Sequence, residues 1–118
     1  MKRLFINLSV FISVFILAIS CSKDGGGGSS SLDCNTVTNK AYAADVSPII
    51  QTRCAIAGCH AAGSTNSGGP FTNHTEVFNK RSNIRTAVSS GAMPQGSSLA
   101  TAQKNSIICW IDSGAPNN

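Results

Sequence analysis

The chain has 118 residues, nine of them basic and five acidic, and its formal net charge is +4. This length allows one small domain at most, and the lack of any Lys/Arg cluster argues against nucleic acid as a partner. The sequence contains no Ser/His/Asp or paired-carboxylate arrangement, so we expect a protein that is not an enzyme.

Residues 1–20 have the layout of a secretory signal peptide. Lys2 and Arg3 precede the nearly unbroken apolar run LFINLSVFISVFILAIS, which ends immediately before Cys21. The closing residues LAISC resemble the lipobox of bacterial lipoproteins, in which the signal is cut before the cysteine and the cysteine is acylated. The resemblance implies an exported protein that acyl chains hold on a membrane, at its periplasmic or outer-membrane face. An uncleaved membrane anchor is the alternative, since the run is nearly long enough to span a bilayer.

Residues 21–40 are predicted to form a flexible tether after the lipidated Cys21. The stretch SKDGGGGSSSLD has no apolar periodicity and cannot bury enough surface to offset the entropy of ordering. Cleavage before Cys21 would remove Lys2 and Arg3, which leaves seven basic and five acidic residues and a net charge of +2. The mature protein is therefore only weakly basic.

Residues 41–118 are predicted to form a small all-α domain, because short helical patterns alternate with loops and no strand alternation is convincing. The first helix is predicted in VSPIIQTRC, where Ser47 can cap and Pro48 suits the first helical position.

Two further helical stretches follow in the second half of the domain. One lies in TEVFNKRSNIRTAVSS, with Thr75 as its cap and a break near Ser82. The last helix begins after Thr101 as N-cap and stops at Gly114, and we expect its inner face to meet the first helix.

The five cysteines each need an explanation, because free thiols are uncommon in the oxidising compartments that export implies. Cys21 is assigned to the lipid, and Cys54 and Cys59 belong to one short motif. We predict that the remaining pair, Cys34 and Cys109, forms a disulfide between the start of the folded domain and its last helix. Two unpaired buried cysteines are the alternative.

The segment CAIAGCH, residues 54–60, carries the strongest chemical signal. Two thiols on one loop can form thioethers with the two vinyl groups of a haem while the adjacent histidine binds its iron, and the usual spacing for this attachment is C-x-x-C-H. Here four residues separate Cys54 from Cys59, so the extra residues must bulge outward, which Ala and Gly permit. A domain this small, with few aromatic residues, also needs something else to complete its core.

Over residues 41–116 the chain resembles a class I cytochrome c. A helix enters the attachment motif, a GGPF turn occupies residues 68–71, a Met-Pro loop follows at Met93 and Pro94, and the closing helix carries Trp110. The order and spacing of these features carry the resemblance.

The resemblance implies one covalent haem c attached to Cys54 and Cys59. It implies that His60 and Met93 are the axial ligands of the iron, and that the Pro70 carbonyl accepts a hydrogen bond from His60 Nδ1. Iron held by His and Met suits single-electron transfer between redox partner proteins.

Two alternatives to haem remain open for the motif. Cys54 and Cys59 could form a disulfide in a lipid-anchored interaction module. A zinc site would need a fourth ligand beyond Cys54, Cys59 and His60. The candidates for that ligand are Cys34, Cys109 and His74.

Around a bound haem, His74 is the alternative to Met93 as sixth ligand, and a five-coordinate haem would suit a small peroxidase. Trp110 is expected in the core, near the haem edge. The basic residues that could face the haem propionates are Arg53, Arg81 and Arg85.

Overall fold

Residues 31–118 are the part of the chain that the structure, a computed structural model, describes. They contain a π-helical turn and four α-helices, with no strand in this range, which confirms the predicted all-α fold. None of these helices is long and apolar enough to cross a membrane. The predicted signal peptide, the predicted lipidation site at Cys21 and most of the predicted tether lie outside the described residues. Residues 31–40, which we predicted to be tether, belong to the compact unit, and Leu32 packs against its core.

The first helical segment begins earlier than predicted. A π-helical turn, Tyr42–Val46, leads directly into helix α1, Ser47–Arg53. Ser47 therefore lies inside a continuous helical path and does not cap it. The carboxylate of Asp45 fixes the start instead, because it accepts a hydrogen bond from the Ala41 amide at 2.9 Å.

Helix α2, His74–Asn79, starts at a cap two residues before the predicted one. The side chain of Asn73 accepts a hydrogen bond from the Glu76 amide at 3.1 Å, and the Glu76 carboxylate accepts one from the Thr72 amide at 2.6 Å. These two bonds satisfy free amides at the helix start, so Thr75 is not needed as a cap.

The chain breaks at Lys80, close to the break predicted near Ser82, and continues as helix α3, Arg81–Ser90. Gly91 ends α3 in a left-handed conformation, with φ at +77°. A glycine tolerates this backbone geometry because it has no Cβ. The loop that carries Met93 starts there.

Helix α4, Thr101–Asp112, forms the centre of the domain. Its N-cap is Ala100, which has no side-chain acceptor, and the amide of Ala100 donates instead to the Gln103 side chain at 3.1 Å. The prediction that Thr101 is the N-cap is therefore wrong by one residue. The predicted stop is confirmed, since Gly114 follows the helix with φ at +97°.

The buried core gathers around α4, which packs against α3 and against the π-helical turn that precedes α1. Trp110 is fully buried, and its indole N–H donates to the Pro116 carbonyl at 2.9 Å. Full burial of an apolar side chain contributes roughly 1.5–3 kcal/mol. The other large side chains that are fully buried among the described residues are Val46, Ile50, Val77, Ile107 and Cys109.

The predicted disulfide between Cys34 and Cys109 is present, with the two Cα atoms 5.2 Å apart. It ties the segment before the π-helical turn to α4 across 75 positions of sequence. Because their sulfurs are bonded to each other, neither cysteine is available as a metal ligand.

Candidate functional site

A cavity of about 490 Å³ lies between α1 with its following loop and the facing side of α3. Helices α1 and α3 both line it but do not pack extensively against each other, because the cavity separates them. Its volume falls in the range of small-molecule and cofactor sites. Its walls are mainly apolar and include Ile50, Phe71, Ile84, Ala87, Val88 and Pro94.

The structure brings the four predicted haem-binding residues to this one cavity. Cys54, Cys59 and His60 line it from the loop after α1, and Met93 lines it from the loop after α3. Two thiols, one imidazole and one thioether therefore face the same mainly apolar space. The chain between these two groups of residues folds through α2 and α3.

The cysteine loop, residues 54–60, closes on itself despite its four intervening residues. The His60 amide donates to the Cys54 carbonyl at 3.0 Å, and the Cys59 amide donates to the Ile56 carbonyl at 3.0 Å. Gly58 adopts a left-handed conformation with φ at +80°. Ile56 and Ala57 are exposed, with 43% of Ile56 exposed, whereas Ala55 is half-buried and Gly58 also lines the cavity.

The sulfurs of Cys54 and Cys59 are not joined to each other, and both residues are half-buried. Burial raises the pKa of the Cys54 thiol, the neighbouring Cys59 raises it further, and Arg53 partly opposes both effects. At neutral pH the free Cys54 side chain is therefore a protonated thiol. In this structure the two sulfurs are therefore separate groups rather than one disulfide.

His60 is buried and held by a backbone carbonyl, although not the predicted one. Its Nδ1 lies 2.8 Å from the Gly69 carbonyl oxygen, so the prediction of Pro70 is wrong by one residue. The reason is the local register, since the Phe71 amide donates to the His60 carbonyl at 2.9 Å and places Gly69 beside the ring. A carbonyl only accepts, so Nδ1 carries the proton and Nε2 keeps the lone pair that binds a metal.

Phe71 and Gly68 hold the imidazole in place from its other sides. The Phe71 ring stacks on His60 with the centroids 4.1 Å apart and the planes 22° apart. Gly68 has φ at +107°, and a Cβ there would lie 3.2 Å from Phe71 Cζ and 3.7 Å from His60 Cε1. The sequence pointed to the GGPF turn but not to this packing role of its first and last residues.

Met93 is half-buried, and its loop is tied back to α3. Its amide donates to the Ala87 carbonyl, near the end of α3, at 3.2 Å. The bond anchors the thioether to a helix that also lines the cavity.

Two aromatic residues that we placed near a haem do not line the cavity. His74 Nε2 lies 3.0 Å from the Ala115 carbonyl oxygen, and the ring packs edge-on against Tyr42 at 4.7 Å between centroids. His74 is thus not placed to be a sixth ligand. Trp110 packs against the same tyrosine at 5.3 Å between ring centroids, which confirms that it lies in the core, and it does not line the cavity.

The fourth ligand that a zinc site requires is not placed near the motif. Cys34 and Cys109 are bonded to each other, and His74 lies outside the cavity. Within residues 31–118, no group of three or more His, Cys, Asp and Glu side chains is arranged to hold a metal ion.

Only one of the three arginines expected near the propionates lines the cavity. Arg53 does so, and its guanidinium donates to the Ser98 carbonyl at 2.8 Å. Arg81 stacks instead over an aromatic ring of α2 at 4.0 Å, and Arg85 pairs with Asp112. Sequence reasoning missed the cation on the α3 side of the cavity, Lys80.

The cavity therefore combines two cysteine sulfurs that are not joined to each other with an imidazole nitrogen and a thioether sulfur. Imidazole and thioether are ligands that suit iron and copper rather than magnesium or calcium. The chemistry of the site rests on this geometry alone, because no model of a protein family, no curated protein and no solved structure matches the chain.

Proposed function

We propose that residues 41–118 form a monohaem c-type cytochrome that carries single electrons between redox partner proteins. One observation carries the proposal: Cys54, Cys59, His60 and Met93 line the same mainly apolar cavity. These are the residue types that covalent attachment and six-coordinate iron require.

The residues present fit haem c in their chemical state as well as in their position. Cys54 and Cys59 are not joined to each other and lie at or near the ends of a loop that closes on itself, so both sulfurs are available for thioether bonds. The Gly69 carbonyl holds His60 Nδ1 and leaves Nε2 as the ligand atom. A flat apolar group would also cover Ile84 and Val88, which belong to the core and line the cavity.

A bound haem would supply reversible exchange between ferrous and ferric iron, at a potential that a Met ligand raises. The protein's contribution is to keep the ligands nearly still, so that a change of oxidation state requires little rearrangement. The Phe71 stack and the Gly69 hydrogen bond restrain His60, and the bond from the Met93 amide restrains the opposite loop. If His60 and Met93 both bound its iron, a haem would have no open position for a substrate, which favours electron transfer over catalysis.

A reduced pyridine haemochrome spectrum of the purified protein, taken after denaturation, tests the proposal. We expect covalent haem in the wild type, and a spectrum shifted toward a single remaining thioether in both Cys54→Ala and Cys59→Ala. The matched control is the Cys34→Ala/Cys109→Ala double variant, which removes two cysteines outside the cavity and should keep both thioethers. Colourless wild-type protein, or haem that is extracted by acid and solvent, would contradict the proposal.

We further propose that the domain is exported and anchored to a membrane by acyl chains on Cys21. The support is the lipobox-like segment LAISC and the polar stretch after it. Mass spectrometry of the amino-terminal peptide should find Cys21 acylated and the signal peptide absent. An intact Met1 or an unmodified Cys21 would refute the anchor without affecting the haem proposal.

A further inference from the structure

We infer that Lys80 and Asn83 form a carboxylate subsite on the α3 side of the cavity, which receives the carboxylate groups of the bound haem. The inference rests on the proposed function, because it concerns the orientation of the cofactor within the same cavity. It assigns a role to two residues that the sequence did not single out.

The α3 side of the cavity changes from apolar to polar along its length. Lys80, the residue before α3, lines the cavity together with four residues that share one face of α3: Asn83, Ile84, Ala87 and Val88. Ile84 and Val88 are buried, whereas Lys80 and Asn83 are exposed. This wall therefore runs from an apolar interior to a polar rim that meets solvent.

The chemistry of the porphyrin dictates which part of the cavity its carboxylates reach. They leave the ring on the edge opposite the two vinyl groups. Thioethers at Cys54 and Cys59 would hold the vinyl edge at the loop after α1, which directs the carboxylates away from that loop. The facing wall is α3, and its polar residues are Lys80 and Asn83.

The charges around the cavity favour this orientation. Two cations, Arg53 and Lys80, line it, and none of the acidic residues among residues 31–118 does so. Arg53 lies beside Cys54, on the vinyl side, and already donates to the Ser98 carbonyl. Lys80 is thus the cation on the side that the carboxylates face.

No side chain of residues 31–118 forms a salt bridge with Lys80. The salt bridge in this range joins Arg85 and Asp112. Glu76, four residues earlier on α2, directs its carboxylate to Thr72 instead. The other acidic residues in this range also have local partners: Asp33 accepts from Asn35, and Asp45 accepts from Ala41. A carboxylate at the rim would therefore gain a cation and the amide donor of Asn83 without displacing an existing pair.

Carbodiimide coupling of the purified holoprotein tests the contact directly. The carbodiimide activates a haem carboxylate, and the Lys80 amine then attacks the activated carbonyl carbon to form an amide. The carbodiimide leaves as a urea that retains one carboxylate oxygen. Chymotrypsin, which cleaves after Phe71 and Phe78, separates the haem-bearing peptide from the Lys80 peptide. We expect mass spectrometry to find these two peptides joined through the haem.

Three variants separate contact from charge. Lys80→Gln should lose the joined peptide and lower the reduction potential, because a cation near the haem favours the ferrous state. Lys80→Arg should also lose the joined peptide, since a guanidinium does not couple, but should retain the wild-type potential. Lys104→Gln is the matched control, because Lys104 donates to the Ser89 carbonyl on α3 and does not line the cavity. It should retain both the joined peptide and the potential.

Coupling of the haem to a lysine other than Lys80, or no coupling in protein that carries covalent haem, would overturn the subsite and leave the proposed function intact. Equal potentials in Lys80→Gln and Lys104→Gln would overturn it as well. Protein without covalent haem would instead refute the proposed function, and the subsite with it.

Discussion

Replacing Gly68 with alanine should loosen the segment that holds His60. The backbone there has φ at +107°, which an L residue adopts at a cost of about 1–2 kcal/mol or more. The new Cβ would lie 3.2 Å from Phe71 Cζ, so the ring must shift by a few tenths of an ångström, which weakens its stack on the imidazole and costs at most about 0.5–1.5 kcal/mol. We therefore expect the free energy of unfolding to fall by about 1–3.5 kcal/mol.

Equilibrium urea unfolding followed by circular dichroism measures this loss, and Gly63→Ala is the control. Gly63 has φ at +74° with nothing within 4 Å of an added Cβ, so its substitution carries a backbone cost without the contact. Phe71→Leu removes the atom in closest contact with the new Cβ. The Gly68→Ala/Phe71→Leu double variant should therefore be more stable than the sum of the single losses predicts.

Two results would refute this account of the imidazole's support. One is a Gly68→Ala variant that loses no more stability than Gly63→Ala. The other is strict additivity in the double variant, which would mean that the new Cβ and the Phe71 ring do not meet.

Three further predictions follow from the disulfide, the surface carboxylates and the distal ligand. Replacing Cys34 and Cys109 with alanine should reduce the free energy of unfolding by about 4 kcal/mol, as the chain-entropy model gives for 75 positions, and thermal unfolding measures it. Hydrogen bonds from Thr72 lower the pKa of Glu76, and hydrogen bonds from Arg85 lower the pKa of Asp112. The contribution of these carboxylates to the free energy of unfolding should therefore be full above about pH 5 and decline as the pH falls below about 4. Urea titrations at each pH measure it. Reduced Met93→Ala holoprotein should bind carbon monoxide, visible in its absorption spectrum, whereas the wild type should not.

Each of these predictions has its own control. The free energy of unfolding of the disulfide variant should match that of wild-type protein whose disulfide has been reduced. A loss of less than about 1 kcal/mol in this free energy would contradict the chain-entropy estimate. A Glu76→Gln/Asp112→Asn variant should lose less stability on acidification than the wild type, and an unchanged acid response would contradict the pKa assignment. Carbon monoxide binding to the native wild type would show that Met93 does not occupy the sixth position.

The sequence predicted which residues meet at the site better than it predicted the local geometry that holds them. CAIAGCH and the Met-Pro loop each carry a signal that depends on residue type and order, so the meeting of Cys54, Cys59, His60 and Met93 in one cavity follows from the resemblance. The disulfide followed from accounting for every cysteine. These inferences need no knowledge of how the backbone turns.

The errors arose where several neighbouring groups could serve the same purpose. Asn73 caps α2 in place of Thr75, and Gln103 supports the start of α4 at Ala100 rather than Thr101, because an acceptor one or two residues away has better geometry. The carbonyl beside His60 belongs to Gly69 because of how residues 60 and 71 pair, and a sequence does not specify that register.

Long polar side chains were the least predictable part of the site. Arg81 and Arg85 could each have reached the cavity from α3, but an aromatic ring and an aspartate offer them closer partners. Lys80 lines the cavity because the chain breaks at that residue, and the exact position of a break between two helices is poorly determined by propensity.

The central claim is that the sulfurs of Cys54 and Cys59 hold a haem and not each other. Peptide mapping of the purified full-length protein, denatured and treated with an alkylating reagent without prior reduction, measures this directly. We predict that the peptide beginning at Cys54 carries the mass of one haem and no alkyl group, with Cys34 and Cys109 recovered as a linked pair. Recovery of Cys54 and Cys59 joined to each other, or both alkylated, would contradict the account.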